Sequence, residues 1–307
     1  MADTIPAYKE VAAIFTSAFM GGLYITSVAF CYRWLFFADE GWKLRKGVNW
    51  MIVIATSIIF LLNVADLVIF LRQIMGMVKL LEDNPEADYM MAPWDEIIRC
   101  TSANITALIA DCTLIYRCWL VYERQSLAVI AFPVILWLGG LSCTVLEVYF
   151  KIAHTQNPEI GAQVWRGVNE SIGPGLALIP FLALTAILNC YSTYMLMRRI
   201  NAVAREGESP TASHFRYIAW IFAESGVLYL SITVAQLAAW FTPNNIAIEI
   251  ITTINVPMTG IAFNLIVIRS AQLRAEQRGP LQGAFEGRIS KLQFQRIQTG
   301  STTIGSV

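Results

Sequence analysis

Long apolar runs separated by short polar stretches are the main pattern along this chain. A helix needs about 20 apolar residues to cross a bilayer, and seven runs reach that length. They cover residues 11–37, 48–74, 97–122, 127–152, 169–197, 214–241 and 246–269. The pattern predicts an all-α membrane protein, a seven-transmembrane-helix bundle within residues 1–270, followed by a polar cytoplasmic tail over 271–307.

Composition supports the same class of protein. Of 307 residues, 56% are hydrophobic and only 14% are charged, with a mean hydropathy of +0.54. Soluble domains carry about 25% charged residues, so much of this surface is expected to face membrane lipids. A net charge of zero gives no case for a nucleic-acid partner. We therefore predict an integral protein of the plasma membrane or an endomembrane.

Lys and Arg are distributed unequally between the two sets of connections. One set and the tail together hold sixteen of these residues, and the other set holds six. Basic residues concentrate on the cytoplasmic side, which predicts an outside N-terminus and a cytoplasmic C-terminus. Arg117 is expected to snorkel toward the cytoplasmic surface. The candidates for contact with a cytoplasmic signalling partner are Arg117, Arg124, Arg198 and Arg199.

Four acidic residues interrupt the apolar runs: Asp66, Asp111, Glu147 and Glu224. Each costs about 2.5–3.5 kcal/mol near the centre of a membrane helix, so each is expected to face the bundle interior. No Lys or Arg stands at a comparable depth, so salt bridges are not expected for all of them. The remaining options are protonation, hydrogen bonding to neutral groups, hydration or a bound cation.

Neutral polar residues share faces with these acids. Asn63 stands one turn before Asp66, and Asn104 stands two turns before Asp111. The resulting stripe is either a network that fixes helix packing or a ligand or ion site between helices 2, 3, 6 and 7. The candidates for that site are Asn63, Asp66, Asn104, Asp111, Glu224 and Asn255.

Several kinds of chemistry have no support in the sequence. The last helix has no lysine for a retinal Schiff base, and two histidines are too few for a histidine-rich metal site. Neither a nucleophile elbow nor a phosphate-binding loop occurs. We predict no catalytic residue, no metal, no cofactor and no enzymatic activity. A sequon at Asn169 is a glycosylation candidate.

The segment DCTLIYRCWLVY, residues 111–122, resembles a motif in the third helix of certain seven-helix membrane proteins. These are large, mostly uncharacterised families of mushroom-forming (basidiomycete) fungi. The similarity spans residues 10–270 and includes the helix-7 ending AFNLIVIR, residues 262–269. It implies a fold and a membrane location, without an established activity. A looser likeness to G-protein-coupled receptors rests on the helix number, orientation and an Asn-Val-Ala-Asp run ending at Asp66.

These observations predict a receptor-like sensor with an extracellular or membrane-soluble ligand and a cytoplasmic signalling partner. A proton or small-cation transporter or channel is the first alternative, because central acids without basic partners suit such a path. A non-catalytic membrane scaffold is the second alternative. The acidic connection at residues 77–96 is either a solvated loop or a vestibule that attracts cations.

Overall fold

The computed structural model describes residues 7–38, 43–44, 48, 50–83, 93–122, 127–156, 175–206, 211–241, 248 and 250–272. Seven helices and one very short hairpin are present in these ranges. They are α1 Ala7–Phe36, β1 Phe37–Ala38, β2 Lys43–Leu44, α2 Trp50–Asp83, α3 Pro93–Val121, α4 Leu127–Gln156, α5 Gly175–Glu206, α6 Thr211–Trp240 and α7 Ile250–Gln272. The prediction of an all-helical chain with seven helices is confirmed. The antiparallel pairing of β1 with β2 was not expected.

The helices differ from the apolar runs mainly at their ends. α2 continues to Asp83, well beyond the predicted end at residue 74, and α5 covers Gly175–Glu206 instead of 169–197. An apolar run reports the part of a helix that lies in hydrocarbon. The helix itself can continue into polar surroundings, because its backbone hydrogen bonds are satisfied internally. Hydropathy therefore located each helix better than it located its ends.

The distribution of side chains is that of a membrane protein. Large apolar residues face outward, as at Phe15 (74% exposed), Leu61 (65%) and Ile135 (65%), while Asp111 and Thr106 are almost fully buried. Six helices are long and apolar enough to span a bilayer, and the described apolar part of α6 is the shorter run Gly226–Trp240. The protein is an integral membrane protein built from transmembrane helices. The predicted orientation of its termini stays a prediction.

Two apolar cores meet at α3. One joins α1, α2, α3 and α7, with Ala110 contributed by α3. The other joins α3, α4, α5, α6 and the start of α7, and here α3 contributes Ala107 and Leu108. Trp137 of α4 also donates its indole N–H to the carbonyl oxygen of Leu108 at 2.9 Å. α3 contributes to both cores and packs against α2, α4 and α5, so it is a central helix of the bundle.

Small and polar residues bring two neighbouring helix pairs close together. At Gly226 of α6, an added Cβ would lie 2.6 Å from Oγ1 of Thr193 in α5, so only glycine permits this approach. Asn264 of α7 donates a 2.9 Å hydrogen bond to Ser27 of α1. α1 and α7 are thus neighbours.

Candidate functional site

Polar side chains on α3 lie at three levels and contact different helices at each level. The helix begins with Asp95 and Glu96 in its first turn, where the helix dipole favours negative charge. Its opposite end is followed by Tyr122. We call these the Asp95 end and the Tyr122 end, with Asp111 in the middle.

Near the Asp95 end, α3 forms an ion pair with α2. Arg99 Nε donates to Asp66 Oδ1 at 3.3 Å, and Arg99 Nη1 donates to Gln73 Oε1 at 3.2 Å. Its guanidinium also lies 4.6 Å from the centre of the Phe70 ring. Both ionic side chains are 14% exposed. This pairing was not predicted, because Arg99 stands near the start of its apolar run and only its long side chain extends to Asp66.

On the opposite side of the same level, α3 contacts α4 through a buried lysine. Lys151 Nζ lies 3.0 Å from Glu96 Oε1, 3.8 Å from Glu147 Oε1 and 2.8 Å from Cys100 Sγ. Asn104 Nδ2 donates to the other oxygen of Glu147 at 2.8 Å. The side chains of Lys151 and Glu147 are only 4% and 2% exposed. Glu147 thus has both a cation and a hydrogen-bond donor.

In the middle of the membrane, Asp111 has neutral partners. Asn189 Nδ2 of α5 donates to Asp111 Oδ1 at 2.8 Å and to the Thr185 carbonyl oxygen at 2.9 Å. The side chains of Thr185 and of Tyr229 in α6 lie within interaction range of the same carboxyl group. Within the described residues, no Lys or Arg forms an ion pair with Asp111.

Two polar atoms beside Asp111 are buried without a well-formed hydrogen bond among the described residues. They are Oδ1 of Asn189 and the hydroxyl oxygen of Tyr229. Their residues are 1% and 4% exposed. A buried polar atom without a partner costs about 1–3 kcal/mol, so the middle level has unused hydrogen-bonding capacity. Near the Asp95 end, Nε2 of Gln73 is likewise buried without a partner among the described residues, but there the acids have basic partners.

At the Tyr122 end, α3 contacts the second half of α5. Cys118 Sγ lies 3.4 Å from the Ser192 carbonyl oxygen, and the Tyr122 hydroxyl donates to the Met195 carbonyl oxygen at 3.2 Å. The Arg199 guanidinium lies 5.9 Å from the centre of the Tyr122 ring. Partial burial raises the pKa of the Tyr122 phenol above its ordinary value, which keeps this hydroxyl a neutral donor.

Arg117 is buried in the bundle. Only 9% of the residue is exposed, although it was expected to snorkel outward. Its side chain is therefore packed against the protein, where it takes part in interactions. Arg198, by contrast, is exposed near the end of α5.

The predicted site residues do not form one group. Asn63 donates to the carbonyl oxygen of Ile59 in its own helix at 2.9 Å. Asn255 is partly buried on α7, and its Oδ1 has no hydrogen-bond partner among the described residues. The side chain of Glu224 is outside the described part of α6, and Arg124 and Asn169 lie outside the described residues. Asp66 of α2 contacts α3, whereas Asn104 and Asp111 of α3 contact α4 and α5 respectively.

The sequence reasoning missed Asn189 and Tyr229. Asn189 is a polar amide inside the apolar run of helix 5, and an amide at that depth is expected to face another helix. The position of Asn189 in its apolar run could therefore have indicated a contact with another helix. Tyr229 carried no comparable signal, because a tyrosine in an apolar helix is common and its direction depends on packing.

No protein-family model, curated protein or solved structure matches this chain. The resemblance to the basidiomycete seven-helix families therefore stays a prediction. Among the described side chains, no group of three or more His, Cys, Asp or Glu residues is placed to hold a metal ion. The class of protein that the structure defines is a membrane-spanning helical bundle with a polar central helix.

Proposed function

We propose that the protein is a receptor-like sensor in which α3 couples a ligand site at its Asp95 end to a signalling surface at its Tyr122 end. The supporting observation is that α3 makes side-chain polar contacts with α2 and α4 near its Asp95 end, and with α5 at Asp111, Cys118 and Tyr122. A displacement of this one helix changes contacts at all three levels. In the proposed orientation the N-terminus is outside and the Asp95 end faces outward.

A ligand with a charged or strongly polar group suits the Asp95 end. There, Arg99 is held by Asp66, and Lys151 is held by Glu96 and Glu147. A ligand that binds one member of either ion pair leaves the other member buried without its opposite charge. A buried unpaired charge is costly. The least costly response is a shift of α3 relative to α2 or α4. Ligand binding is thereby coupled to helix movement.

The movement reaches the opposite end through α5. Asp111 and Tyr122 of α3 both bond to α5, whose last turns carry the exposed Arg198 and, beside it, Arg199. In this proposal these two arginines contact the cytoplasmic signalling partner. Arg117 belongs to the coupling machinery inside the bundle, because it is buried.

Two native cysteines allow a direct test. Cys112 of α3 and Cys190 of α5 are exposed on the bundle, beside Asp111 and Asn189 respectively. Fluorine labels on these thiols, assigned with single Cys→Ser variants, report both helices in lipid nanodiscs. A compound that raises the melting temperature of the wild type is expected to shift both fluorine signals. In Asp111→Asn the Cys112 signal still shifts, while the Cys190 response is reduced at least twofold.

Two results would contradict the sensor proposal. One is the absence of any fluorine shift with compounds that bind and stabilise the protein. The other is an Asp111→Asn variant whose two labels respond as they do in the wild type. Thr144→Val is the matched control, because the Thr144 hydroxyl donates to the carbonyl oxygen of Gly140 in its own helix α4 at 3.0 Å. The change leaves the Asp111–Asn189 bond and both ion-paired groups near the Asp95 end in place.

A transporter or channel for protons or small cations is a second candidate, favoured by the position of Asp111 in the middle of the membrane without a basic partner among the described residues. Against it, Asp66 and Glu147 are engaged by Arg99 and Lys151 and do not extend the path. Flux into proteoliposomes that Asp111→Asn abolishes would support transport. Flux that is absent under both proton and sodium gradients would exclude transport of these ions.

A further inference from the structure

The surroundings of Asp111 contain no positive charge that the structure describes. α5 presents Asn189 and Thr185, α6 presents Tyr229, and the neighbouring thiol on α3 is Cys112. The charged groups on α2 and α4 are paired elsewhere, as Asp66 with Arg99 and Glu147 with Lys151. Arg117 is six residues further along α3 and points about 120° away.

An ionised carboxylate in such surroundings is costly. Isolated charges in a low-dielectric interior usually take up or lose a proton, because neutralisation costs less than desolvating the ion. Asp111 is 1% exposed, so water compensates little of its charge. The same reasoning does not apply to Asp66 or Glu147, since each has a cation within 4 Å.

The arrangement of donors and acceptors also suits a neutral acid. Asn189 donates to one oxygen of Asp111, which leaves the second oxygen as the place for a proton. The hydroxyl oxygen of Tyr229 lies beside this carboxyl group, buried and without a well-formed bond among the described residues. It can accept a hydrogen bond from a protonated carboxyl group.

We propose that Asp111 is a proton-binding site that links α3, α5 and α6. In the folded bundle it holds one proton on the oxygen not bonded to Asn189 and donates it in a hydrogen bond to the Tyr229 hydroxyl. The proton comes from the aqueous phase, and no other bond is made or broken. Release of the proton reverses this hydrogen bond, because the Tyr229 hydroxyl can donate to the anion, which the Asn189 amide also holds. This site does not depend on whether the bundle senses or transports.

Infrared difference spectroscopy of the full chain in lipid nanodiscs at neutral pH tests the proposal. A protonated carboxyl group has a C=O stretch above the amide bands, and this stretch shifts in heavy water. Subtracting the spectrum of Asp111→Asn from that of the wild type is expected to give one such band. Asp66→Asn is the matched control and is expected to give a carboxylate difference instead, because Asp66 is paired with Arg99.

Tyr229→Phe provides a second and independent measurement. It is expected to keep the carboxyl band and move it to higher frequency, as a C=O group does when its acid O–H loses a hydrogen bond. This variant retains Asp111, so the test remains informative even if Asp111→Asn does not fold.

Three results would overturn the proposal. One is an Asp111→Asn difference spectrum that contains carboxylate bands only. Another is a carboxyl band that Tyr229→Phe leaves unmoved. The third is a band that disappears when sodium chloride replaces choline chloride, since the compensating ion would then be sodium.

Discussion

The Asp95 end of α3 and its middle contain acids that the bundle stabilises in different ways. Asp66 and Glu147 have basic partners on a neighbouring helix or in their own helix, whereas Asp111 is surrounded by amide and hydroxyl groups. Near a helix end, the long side chains of Arg and Lys can extend inward to an acid. In the middle of the membrane, a neutral partner or a proton is the less costly solution. The position of an acid along the helix therefore governs its expected charge.

The largest change in the free energy of unfolding is expected on substitution of Lys151, the buried cation between α3 and α4. Lys151→Met leaves Glu147, 2% exposed, without its cation, and is expected to lower the free energy of unfolding by about 3–5 kcal/mol. Adding Glu147→Gln should recover most of this loss, because the anion is then removed as well. Unfolding in mixed micelles measures the free energy of unfolding of the single and the double variant. A loss below 1 kcal/mol for Lys151→Met would mean that Glu147 carries no charge.

A smaller effect is expected at the ion pair between α2 and α3. Arg99→Met removes a charged hydrogen bond to Asp66, and both side chains are 14% exposed. Hydrogen bonds to charged groups contribute about 1.5–3 kcal/mol, and the loss should fall in this range. Arg99→Lys keeps the positive charge but loses the planar guanidinium fork, so its free energy of unfolding should lie between those of the wild type and Arg99→Met. If Arg99→Met and Arg99→Lys were both as stable as the wild type, the pair between Arg99 and Asp66 would contribute nothing to stability.

A loss of about 0.6–1.7 kcal/mol is expected for Asp111→Asn, the range of hydrogen bonds between membrane helices. The substitution exchanges one neutral group for another if Asp111 is protonated, and it changes little volume. The same unfolding assay measures the loss. A cost above 3 kcal/mol would contradict a neutral Asp111, since only a charge-assisted contact is that large.

The smallest effect is expected at the outer ion pair between Arg72 and Asp95. Their atoms are 3.3 Å apart, but the Arg72 side chain is 72% exposed. Exposed pairs contribute about 0.2–1 kcal/mol and are screened by salt. Arg72→Ala should therefore cost less than 1 kcal/mol at low salt and almost nothing at high salt. A cost comparable to that of Arg99→Met would show that exposure does not distinguish these pairs.

The helix number and membrane class were predictable because each depends on the amount of apolar surface in a continuous run. The partners of the acids were less accessible to sequence reasoning. Asp66 and Arg99 are 33 residues apart, and their pairing depends on how α2 and α3 pack. The predicted ends of α2 and α5 fell short of the observed ends, Asp83 and Glu206, because polar residues can continue a helix outside the hydrocarbon.

Sequence periodicity also predicted which face of its helix each acid occupies. It did not predict which other helix lies opposite that face. Asn104 and Asp111 share a side of α3, and this spacing suggested one common site. In the bundle Asn104 bonds to α4, and Asp111 bonds to α5. Two helical turns separate them by about 10.5 Å along the axis, enough for a different helix to lie opposite each one. Residue spacing alone carries no information about that change of neighbour.

The central claim is that Asp66 is charged and Asp111 is neutral, and paired double-mutant cycles test it most directly. One cycle joins Asp66→Ala with Arg99→Ala, and the other joins Asp111→Ala with Asn189→Ala, each followed by unfolding in mixed micelles. We expect a coupling free energy of about 1.5–3 kcal/mol for the first pair and about 0.6 kcal/mol for the second. A coupling between Asp111 and Asn189 as large as that between Asp66 and Arg99 would contradict the claim.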